Sequence, residues 1–390
     1  MKTHHPLLLL AMLSLLAACK TSAPRQATTP AITTDTTTYY ITQEGDTLPN
    51  LHTEVPVDMF RVWKDTVTTI GVGDIMLGTN FPDSSYLPPD SGRYLLAGVA
   101  PILQQADLTF GNLEGVLLDS AGTQKHCNNP DVCYLFRMPE YLAGHLKEAG
   151  FDLMSTANNH AGDFGDEGRF NTIKVLDSLG IQHAGLLQQP FVLFEHSGVR
   201  WGMAAFSPNV GTQSINDHEA ASQIVAHLDS LSDIVIVSFH GGAEGNKYQH
   251  VTRETEEFYG ENRGNVYKFS HRMVDAGADI IFGHGPHVTR AVEVYKDRFI
   301  AYSLGNFATY ARFNLRNENG LAPIVKVYIG PKGKFFKAEV TPIIQIGEGI
   351  PVIDEEKRAI KILQNLTKED FPEVPLQITD EGIIFQQPKQ

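Results

Sequence analysis

Seven short apolar runs, several of them separated by segments of helical pattern, constrain the fold of this chain more than any other feature. Each run is rich in β-branched or aromatic residues and is bounded by Gly, Asn or Asp, which is typical of a buried strand. Helical patterns over 139–150, 168–180 and 270–278 lie between some of them, and this alternation predicts an α/β domain whose sheets are covered by helices. The predicted strands are 67–73, 106–112, 151–157, 199–207, 232–240, 277–284 and 297–306.

The C-terminal part has a different pattern, because helical segments become rare after about residue 320. Residues 323–346 alternate apolar and polar positions around "GPKGK", which predicts a β-hairpin added to the sheet. A final helix is predicted over 354–370. We therefore interpret 66–390 as one domain that includes this hairpin and helix.

The N-terminal residues 1–18 have the layout of a secretory signal, with a basic start and an apolar stretch of about a dozen residues. That stretch is shorter than the roughly 20 apolar residues that span a bilayer. The sequence "LAAC" resembles a bacterial lipobox, which implies cleavage before Cys19 and lipidation of its thiol; an ordinary signal peptide is the alternative. Residues 19–65 would then be the lipidated cysteine and a flexible tether, since 20–40 are rich in Thr, Ser, Ala and Pro.

The net charge limits the classes of partner that the protein can bind, and the cysteines bear on the cellular compartment in which it folds. The formal net charge is −14, which argues against nucleic acid as a partner because phosphate backbones are bound by basic surfaces. Cys127 and Cys133 form an even pair in a chain predicted to be exported, where disulfides persist. We predict a local disulfide between them. A metal-binding pair is the alternative, although no second Cys/His pair with finger-like spacing follows.

Six polar motifs directly follow predicted strands, and ligands of α/β folds bind at the carboxyl ends of strands. The motifs therefore predict a single site. Three of its histidines, His240, His284 and His287, lie in glycine-rich loops, and His combined with carboxylate and amide oxygens suits Zn, Mn or Fe better than Ca. The motifs are "GD" (73–74), "GNLEG" (111–115), "NNH" (158–160), "FHGGAE" (239–244), "GHGPH" (283–287) and "SLGNF" (303–307).

The ordered motifs resemble the CapA family, the bacterial poly-γ-glutamate and capsule synthesis proteins, which are related to calcineurin-like metallophosphoesterases. The resemblance extends from about residue 67 into the C-terminal hairpin and helix. It implies a four-layer α/β/β/α sandwich of the metallophosphoesterase type, with one or two divalent transition-metal ions (Mn, Zn or Fe) above the strand ends.

The resemblance also implies roles for single residues. His160 matches the catalytic histidine, which would stabilise a developing oxyanion or protonate the leaving group. Two positions depart from the superfamily pattern: Met76 stands where a histidine is usual, and Asn112 where a bridging aspartate is usual. Glu114 is our candidate for the substitute ligand. The other metal ligands that the resemblance implies are Asp74, Asn159, His240, His284 and His287.

Further polar residues of the motifs have two interpretations each. Glu244 is a further ligand or an acceptor that orients a ligand histidine through its other ring nitrogen. Arg137 either clamps an anionic group bidentately or forms a surface ion pair. Asn306 either shapes the pocket floor or is a structural turn residue, while turn chemistry best explains Asn158. Asn112 is a further candidate for a residue that supports the metal ligands or contacts the substrate.

The function that the resemblance implies is that of an envelope lipoprotein, on the periplasmic side of a membrane, in capsule or poly-γ-glutamate type exopolymer synthesis. Its site would be a metal-dependent hydrolase. The expected partners are an anionic envelope polymer or a phosphate-ester substrate, the membrane through the lipid anchor, and capsule-synthesis membrane proteins. A non-catalytic factor that binds polymer, or serves its export or assembly, through the same cleft is the alternative.

Overall fold

The computed structural model describes residues 64–127 and 133–387. The predicted signal segment, Cys19 and nearly all of the predicted tether lie outside the described residues, so those assignments stay predictions. The helices are α1 (Ala100–Leu103), α2 (Ala143–Ala149), α3 (Gly165–Ser178), α4 (His218–Leu231), α5 (Val266–Asp275) and α6 (Arg358–Asp370). Within the described ranges, none of them combines the length and the apolar character that crossing a membrane requires.

Two large β-sheets contain most of the strands. The strands are β1 (Val67–Met76), β2 (Leu108–Leu113), β3 (Val116–Leu117), β4 (Arg137–Met138), β5 (Leu153–Ser155), β6 (Gln182–Ala184), β7 (Phe191–His196), β8 (Val199–Phe206), β9 (Ile234–His240), β10 (Glu257–Phe258), β11 (Glu261–Asn262), β12 (Ile280–His284), β13 (Val292–Tyr295), β14 (Arg298–Ala301), β15 (Asn306–Thr309), β16 (Leu321–Ile329), β17 (Phe335–Ile346), β18 (Ile350–Ile353), β19 (Leu376–Ile378) and β20 (Ile383–Gln386). The predicted hairpin is β16 and β17, and the predicted final helix is α6.

The strand order places the carboxyl end of β1 in the middle of the first sheet. That ten-stranded sheet has the order β19-β20-β17-β16-β1-β2-β5-β6, with β15 paired to β1 and β18 paired to β17. The six-stranded sheet has the order β13-β14-β12-β9-β8-β7. Strands β1, β2, β5 and β6 are parallel, as are β8, β9, β12 and β14. The parallel strands of each sheet therefore end at a common edge.

Three hydrophobic layers hold the sheets and helices together. Between the sheets, Phe110 of β2 stacks on Phe282 of β12 with ring centroids 5.3 Å apart. The outer face of the first sheet packs against α2 through Leu146. The outer face of the second packs against Leu228 of α4 and Phe269 of α5. The layers run helix, sheet, sheet, helix, so the predicted four-layer α/β/β/α sandwich is confirmed.

Replacing Phe282 with alanine is expected to lower the free energy of unfolding by about 3–5 kcal/mol. The ring is fully buried between the sheets and leans against Gly71, where an added Cβ would come within 2.4 Å of it. Chemical denaturation measures the change. Phe170→Ala is the control, because Phe170 is 54% exposed and its loss should change stability by less than about 0.5 kcal/mol; equal effects would contradict the assigned core.

The predicted strand 297–306 contains β14, but it ends at Asn306, the first residue of β15, which belongs to the other sheet. β14 pairs with β12 in the six-stranded sheet, whereas β15 pairs with β1 in the ten-stranded sheet. The chain crosses between them at Gly305, whose φ of +66° lies in the left-handed region that glycine adopts at little cost. Strands β6, β7 and β13 have no counterpart among the predicted strands; each is only three to six residues long.

Asp279, just before β12, is expected to make the protein less stable as the pH rises from about 4 to about 6. Its carboxylate accepts a hydrogen bond from Val235 N at 2.8 Å and lies 2.9 Å from Arg298 Nε. Burial nevertheless raises its pKa from 3.8 to about 6, because these contacts offset only part of the desolvation. In that pH window the folded protein retains a proton that the unfolded chain releases, so the free energy of unfolding falls by up to about 3 kcal/mol.

Unfolding of the wild type and of Asp279→Asn at pH 4, 5, 6 and 7 isolates this contribution, since every other group is common to both proteins. The difference in stability between them should shift in favour of the variant as the pH rises to about 6 and stay constant above it. Parallel pH profiles would contradict the assignment.

Candidate metal centre

Asp74 lies at the carboxyl end of β1, between two neighbouring strands. It pairs in register with Asn112 of β2 on one side and Asn306 of β15 on the other. Asn112 Nδ2 donates to Asp74 Oδ1 at 2.9 Å, and the Asp74 backbone N–H donates to Gly305 O at 2.8 Å. The strand ends thus fix both the backbone and the carboxylate of Asp74.

Three residues converge here with atoms that can bind a metal. One ligand atom from each of Asp74, Glu114 and His287 lies within 4.8 Å of the other two. His287 Nδ1 is 3.0 Å from Asp74 Oδ2, and its Nε2 is 3.6 Å from Glu114 Oε1. His287 has a φ of +57°, and such strained backbone is concentrated at functional sites.

The donor atoms around this cluster fit a divalent transition metal. Both carboxylate oxygens of Glu114, Asn159 Oδ1 and His240 Nδ1 are buried and have no hydrogen-bond partner within the described ranges. An unpaired buried polar group costs free energy, and a cation would satisfy the oxygens. Carboxylate with imidazole is a donor set that Zn, Mn and Fe accept. The cluster could therefore hold such an ion.

Charges in the cluster are strongly coupled. Burial raises the pKa of Glu114 well above its usual range, against the opposing charge of His287. Burial lowers the pKa of His287, but Glu114 and Asp74 outweigh it and bring the value to about 10. Burial raises the pKa of Asp74, but the hydrogen bond and charge of His287, with smaller contributions from His284 and Asn112, together lower it overall. Since ligands must be deprotonated, a proton and a metal ion compete for these atoms.

His160 faces the cluster in an orientation set by Asp163. Its Nδ1 is 2.7 Å from Asp163 Oδ2, and its Nε2 is 4.0 Å from Glu114 Oε1. Asp163 also forms an ion pair with Lys125 and accepts a hydrogen bond from Phe136 N at 2.6 Å. Burial lowers the pKa of His160, although the charge of Asp163 opposes it. Sequence reasoning missed Asp163 and Lys125, although Asp163 stands only three residues after His160.

The two asparagines before His160 have different environments. Asn158 Oδ1 accepts a hydrogen bond from His160 N at 3.1 Å, and its Nδ2 donates to Leu113 O at 2.8 Å. This is the local turn bonding expected of Asn158, and it also ties the loop to β2. Asn159 holds Lys125 Nζ through its backbone oxygen at 3.3 Å, so its half-buried side chain stays available to a ligand.

His240 and His284 are opposite each other on β9 and β12, outside the three-residue cluster. His284 Nε2 lies 3.1 Å from Val72 O, and its Nδ1 lies 3.4 Å from Ser238 Oγ. His240 Nε2 lies 3.5 Å from Arg263 Nη2. Burial lowers the pKa of both histidines, that of His240 strongly. Arg263 was not a sequence candidate, because "ENRGN" follows no predicted strand.

Three other residues that the sequence singled out support the site or lie at its edge. Glu244 Oε1 is 3.0 Å from Arg263 Nη2, so this carboxylate contacts an arginine. Asn306 Nδ2 donates to His287 O at 3.2 Å and its Oδ1 lies 3.0 Å from His287 Nδ1, which positions the histidine. Met76 is buried, and its Sδ accepts from Gly78 N at 3.3 Å.

Arg137 is half-buried and bonded within the protein. Its Nε donates to Asn80 Oδ1 at 2.7 Å and its Nη1 to Ala121 O at 3.1 Å, and the guanidinium lies 4.9 Å from the Phe164 ring centre. Cys127 and Cys133 form a disulfide, with Cα atoms 5.9 Å apart. The predicted disulfide is confirmed, and the pair is therefore not a metal site.

Comparison with known proteins gives one family and several distant relatives. The family model described as "Bacterial capsule synthesis protein PGA_cap" matches residues 68–311. The chain is 28% identical over 325 residues to the capsule biosynthesis protein CapA of Bacillus anthracis, covering 78% of this chain and 74% of that protein. It is 26% identical over 322 residues to the PGA biosynthesis protein CapA of Bacillus subtilis, covering 78% and 79%. Among solved structures, a purple acid phosphatase from yellow lupin aligns at 11% identity with a TM-score of 0.36, over 75% of this chain and 54% of that chain.

Proposed function

Because the chain belongs to the bacterial capsule synthesis protein family PGA_cap, we propose that it acts in capsule or poly-γ-glutamate type exopolymer synthesis through a metal-dependent hydrolase site. The observation that carries the hydrolase assignment is the carboxylate of Glu114. It is fully buried, its two oxygens have no hydrogen-bond partner within the described chain, and it lies 3.6 Å from His287 Nε2 and 4.0 Å from His160 Nε2. A purely structural buried glutamate would accept hydrogen bonds.

Each side chain has a role that follows from its position. Asp74, Glu114 and His287 would hold the ion, with Asn159 as a further donor. A bound divalent ion would supply an activated water and neutralise charge on a phosphoryl or carbonyl oxygen. His160, fixed by Asp163 at Nδ1, presents Nε2 to the centre and can pass a proton to the leaving group, which typically contributes 10²–10⁴-fold. Lys125 neutralises Asp163 and keeps it in place.

The substrate we propose is a phosphate ester or an anionic polymer of the envelope. The relatives named above are biosynthesis proteins of capsule and PGA, which supports work on such a polymer. The same names also favour the alternative, a non-catalytic factor that binds polymer or assists its export or assembly in the same cleft. A net charge of −14 disfavours a polyanion unless local cations offset it.

Hydrolysis of bis(p-nitrophenyl) phosphate by metal-free protein and by protein loaded with Mn or Zn tests the proposal. Turnover that requires metal and disappears in His160→Ala supports the hydrolase. Absence of bound transition metal and of turnover, together with unchanged polymer production in cells carrying His160→Ala, would reject it. Loss of polymer production by a variant that keeps its metal but has no measurable turnover would favour the non-catalytic factor.

Envelope location is part of the same proposal. Lipidation at Cys19, after removal of residues 1–18, would attach the domain to the periplasmic face of a membrane through the 19–65 tether, near capsule-synthesis membrane proteins. Cell fractionation of Cys19→Ser checks the anchor. The variant should leave the membrane fraction, and its continued membrane association would contradict lipid attachment at this residue.

A further inference from the structure

Arg263 is a buried cation at the edge of the metal centre with an incomplete set of partners. Its side chain is only 3% exposed, and its Nη2 lies 3.0 Å from Glu244 Oε1 and 3.5 Å from His240 Nε2. Its Nη1 is 3.6 Å from Glu261 Oε2. Its Nε is buried and has no acceptor within the described ranges. A guanidinium in this position is stable only if anions complete its bonding.

The backbone holds Arg263 in place. Arg263 N donates to Glu256 O at 2.8 Å, and Gly242 N donates to Arg263 O at 2.9 Å. The Glu256 carboxylate is itself fixed by Arg290, with Nη1–Oε1 and Nη2–Oε2 distances of 2.8 and 2.7 Å. Arg263 is therefore anchored to the loop that follows β9, and its position does not depend on a mobile surface contact.

The charge of Arg263 acts on the residues of the centre. After burial, Arg263 is the largest cause of the lowered pKa of His240, and its charge opposes the raised pKa of Glu114. An arginine side chain keeps its charge at any pH at which the protein is folded. A divalent cation placed beside His240 Nε2 would be repelled by the guanidinium at short range.

We propose that Arg263 takes the place of a second metal ion. The centre then binds one ion through Asp74, Glu114 and His287, and Arg263 binds an anionic group of the substrate, a phosphate or a carboxylate. Glu244, which is 24% exposed, contacts Arg263 when no substrate is bound. The anionic group of the substrate displaces the Glu244 carboxylate from Arg263 or binds beside it. A guanidinium presents paired N–H groups in a geometry that suits either oxyanion. This inference rests on the proposed function, because it assigns the substrate-binding part of that site.

Equilibrium binding tests the inference without turnover. Full-length protein is stripped with chelator, reloaded with Mn or Zn, and analysed for metal per chain. It is then titrated by calorimetry with inorganic phosphate and, in a parallel arm, with a short glutamate oligomer. We expect the wild type to bind one equivalent of metal per chain. Arg263→Gln should keep that metal content but bind one of the two probes at least tenfold more weakly than the wild type does. The probe that weakens identifies the anion class.

Two further variants separate anion binding from structural damage. Arg263→Lys keeps the charge but loses the paired N–H groups, so it should bind with intermediate affinity. Glu244→Gln removes the competing carboxylate, so it should bind the same probe several-fold more tightly than the wild type. Arg93→Gln, at an exposed arginine, is the control.

Two equivalents of metal in the wild type would overturn the inference. So would unchanged affinity of Arg263→Gln for both probes, or weaker binding in Glu244→Gln. Because no arm measures hydrolysis, absence of turnover would count against the hydrolase assignment alone and leave these binding results standing.

Discussion

Glu114→Gln is expected to abolish tight metal binding while making the metal-free protein more stable. The variant loses a charged ligand, so metal affinity should fall by about 100-fold or more, beyond the 10–100-fold that loss of a mere supporting partner costs. The metal-free wild type buries a carboxyl group whose oxygens have no hydrogen-bond partner within the described residues. Burial raises the pKa of Glu114 and so disfavours its ionised form, and a neutral amide in its place should raise the free energy of unfolding by about 1–3 kcal/mol, the range that burial of an unpaired polar group costs in proteins.

The same substitution at another buried glutamate provides the matched control. Glu256 is paired with Arg290 through two hydrogen bonds, so Glu256→Gln leaves a buried guanidinium short of its partner. It should destabilise the protein by roughly 3–5 kcal/mol. Chemical denaturation with and without chelator, combined with metal analysis, measures both variants. If metal-free Glu114→Gln were less stable than the wild type, the carboxylate would have an unrecognised partner and the metal-site assignment would fail.

His160→Asn is expected to lower the rate of phosphodiester hydrolysis by about 10²–10⁴-fold, the usual contribution of a general acid or base, while the metal remains bound. The imidazole contacts the cluster only through a 4.0 Å approach of Nε2 to Glu114, whereas its Nδ1 is bonded to Asp163. Asp163→Asn should lower the rate less, because the imidazole keeps its place but loses the acceptor that sets its orientation. Steady-state kinetics and metal analysis of both variants measure these effects.

His183→Asn is the matched control for His160, because His183 is also buried and also contacts an aspartate, with Nε2 3.1 Å from Asp177 Oδ1. His183 lies on β6, outside the cluster of Asp74, Glu114 and His287. The His183→Asn variant should be less stable than the wild type but should hydrolyse the phosphodiester at the same rate. A rate loss at His183 comparable to that at His160, or loss of metal from His160→Asn, would remove the catalytic assignment of His160.

Much of the architecture could be predicted because buried strands and their polar ends are visible in a sequence. The apolar runs at β1, β2, β9 and β12 each end in a polar motif, and parallel strands bring such ends to a common edge. For this reason the sequence alone identifies Asp74, Glu114 and His287 as candidate ligands, although Asp74 and His287 are 213 residues apart in the chain. The sequence could not show that the chain changes sheets between Ala301 and Asn306, since Tyr302 and Leu304 continue the apolar pattern of β14.

The parts that escaped prediction depend on side-chain direction and long-range contacts. His284, a predicted metal ligand, lies outside the three-residue cluster with its ring nitrogens 3.1 Å from Val72 O and 3.4 Å from Ser238 Oγ, and its ligand role stays a prediction. Arg263 lies in a loop of polar residues that no pattern distinguishes from a solvated turn. Its position follows from hydrogen bonds to Gly242 and Glu256, which are tertiary contacts. Asp163 could have been found, because it lies only three residues after His160 and a carboxylate often orients a catalytic histidine.

The pairing of β1 with β15 sets the order in which the centre can form. Asp74 receives its neighbours from β2 and from residues 305–306, so one wall of the centre, at Asn306, comes about 190 residues after the other, at Asn112, in the chain. Contacts of such long sequence separation form slowly in folding. If the centre binds a metal ion as proposed, the ion would therefore bind late in folding, once residues 305–306 reach Asp74. If the chain is exported unfolded, as its N-terminal residues predict, the ion would come from the compartment of destination and not from the compartment of synthesis.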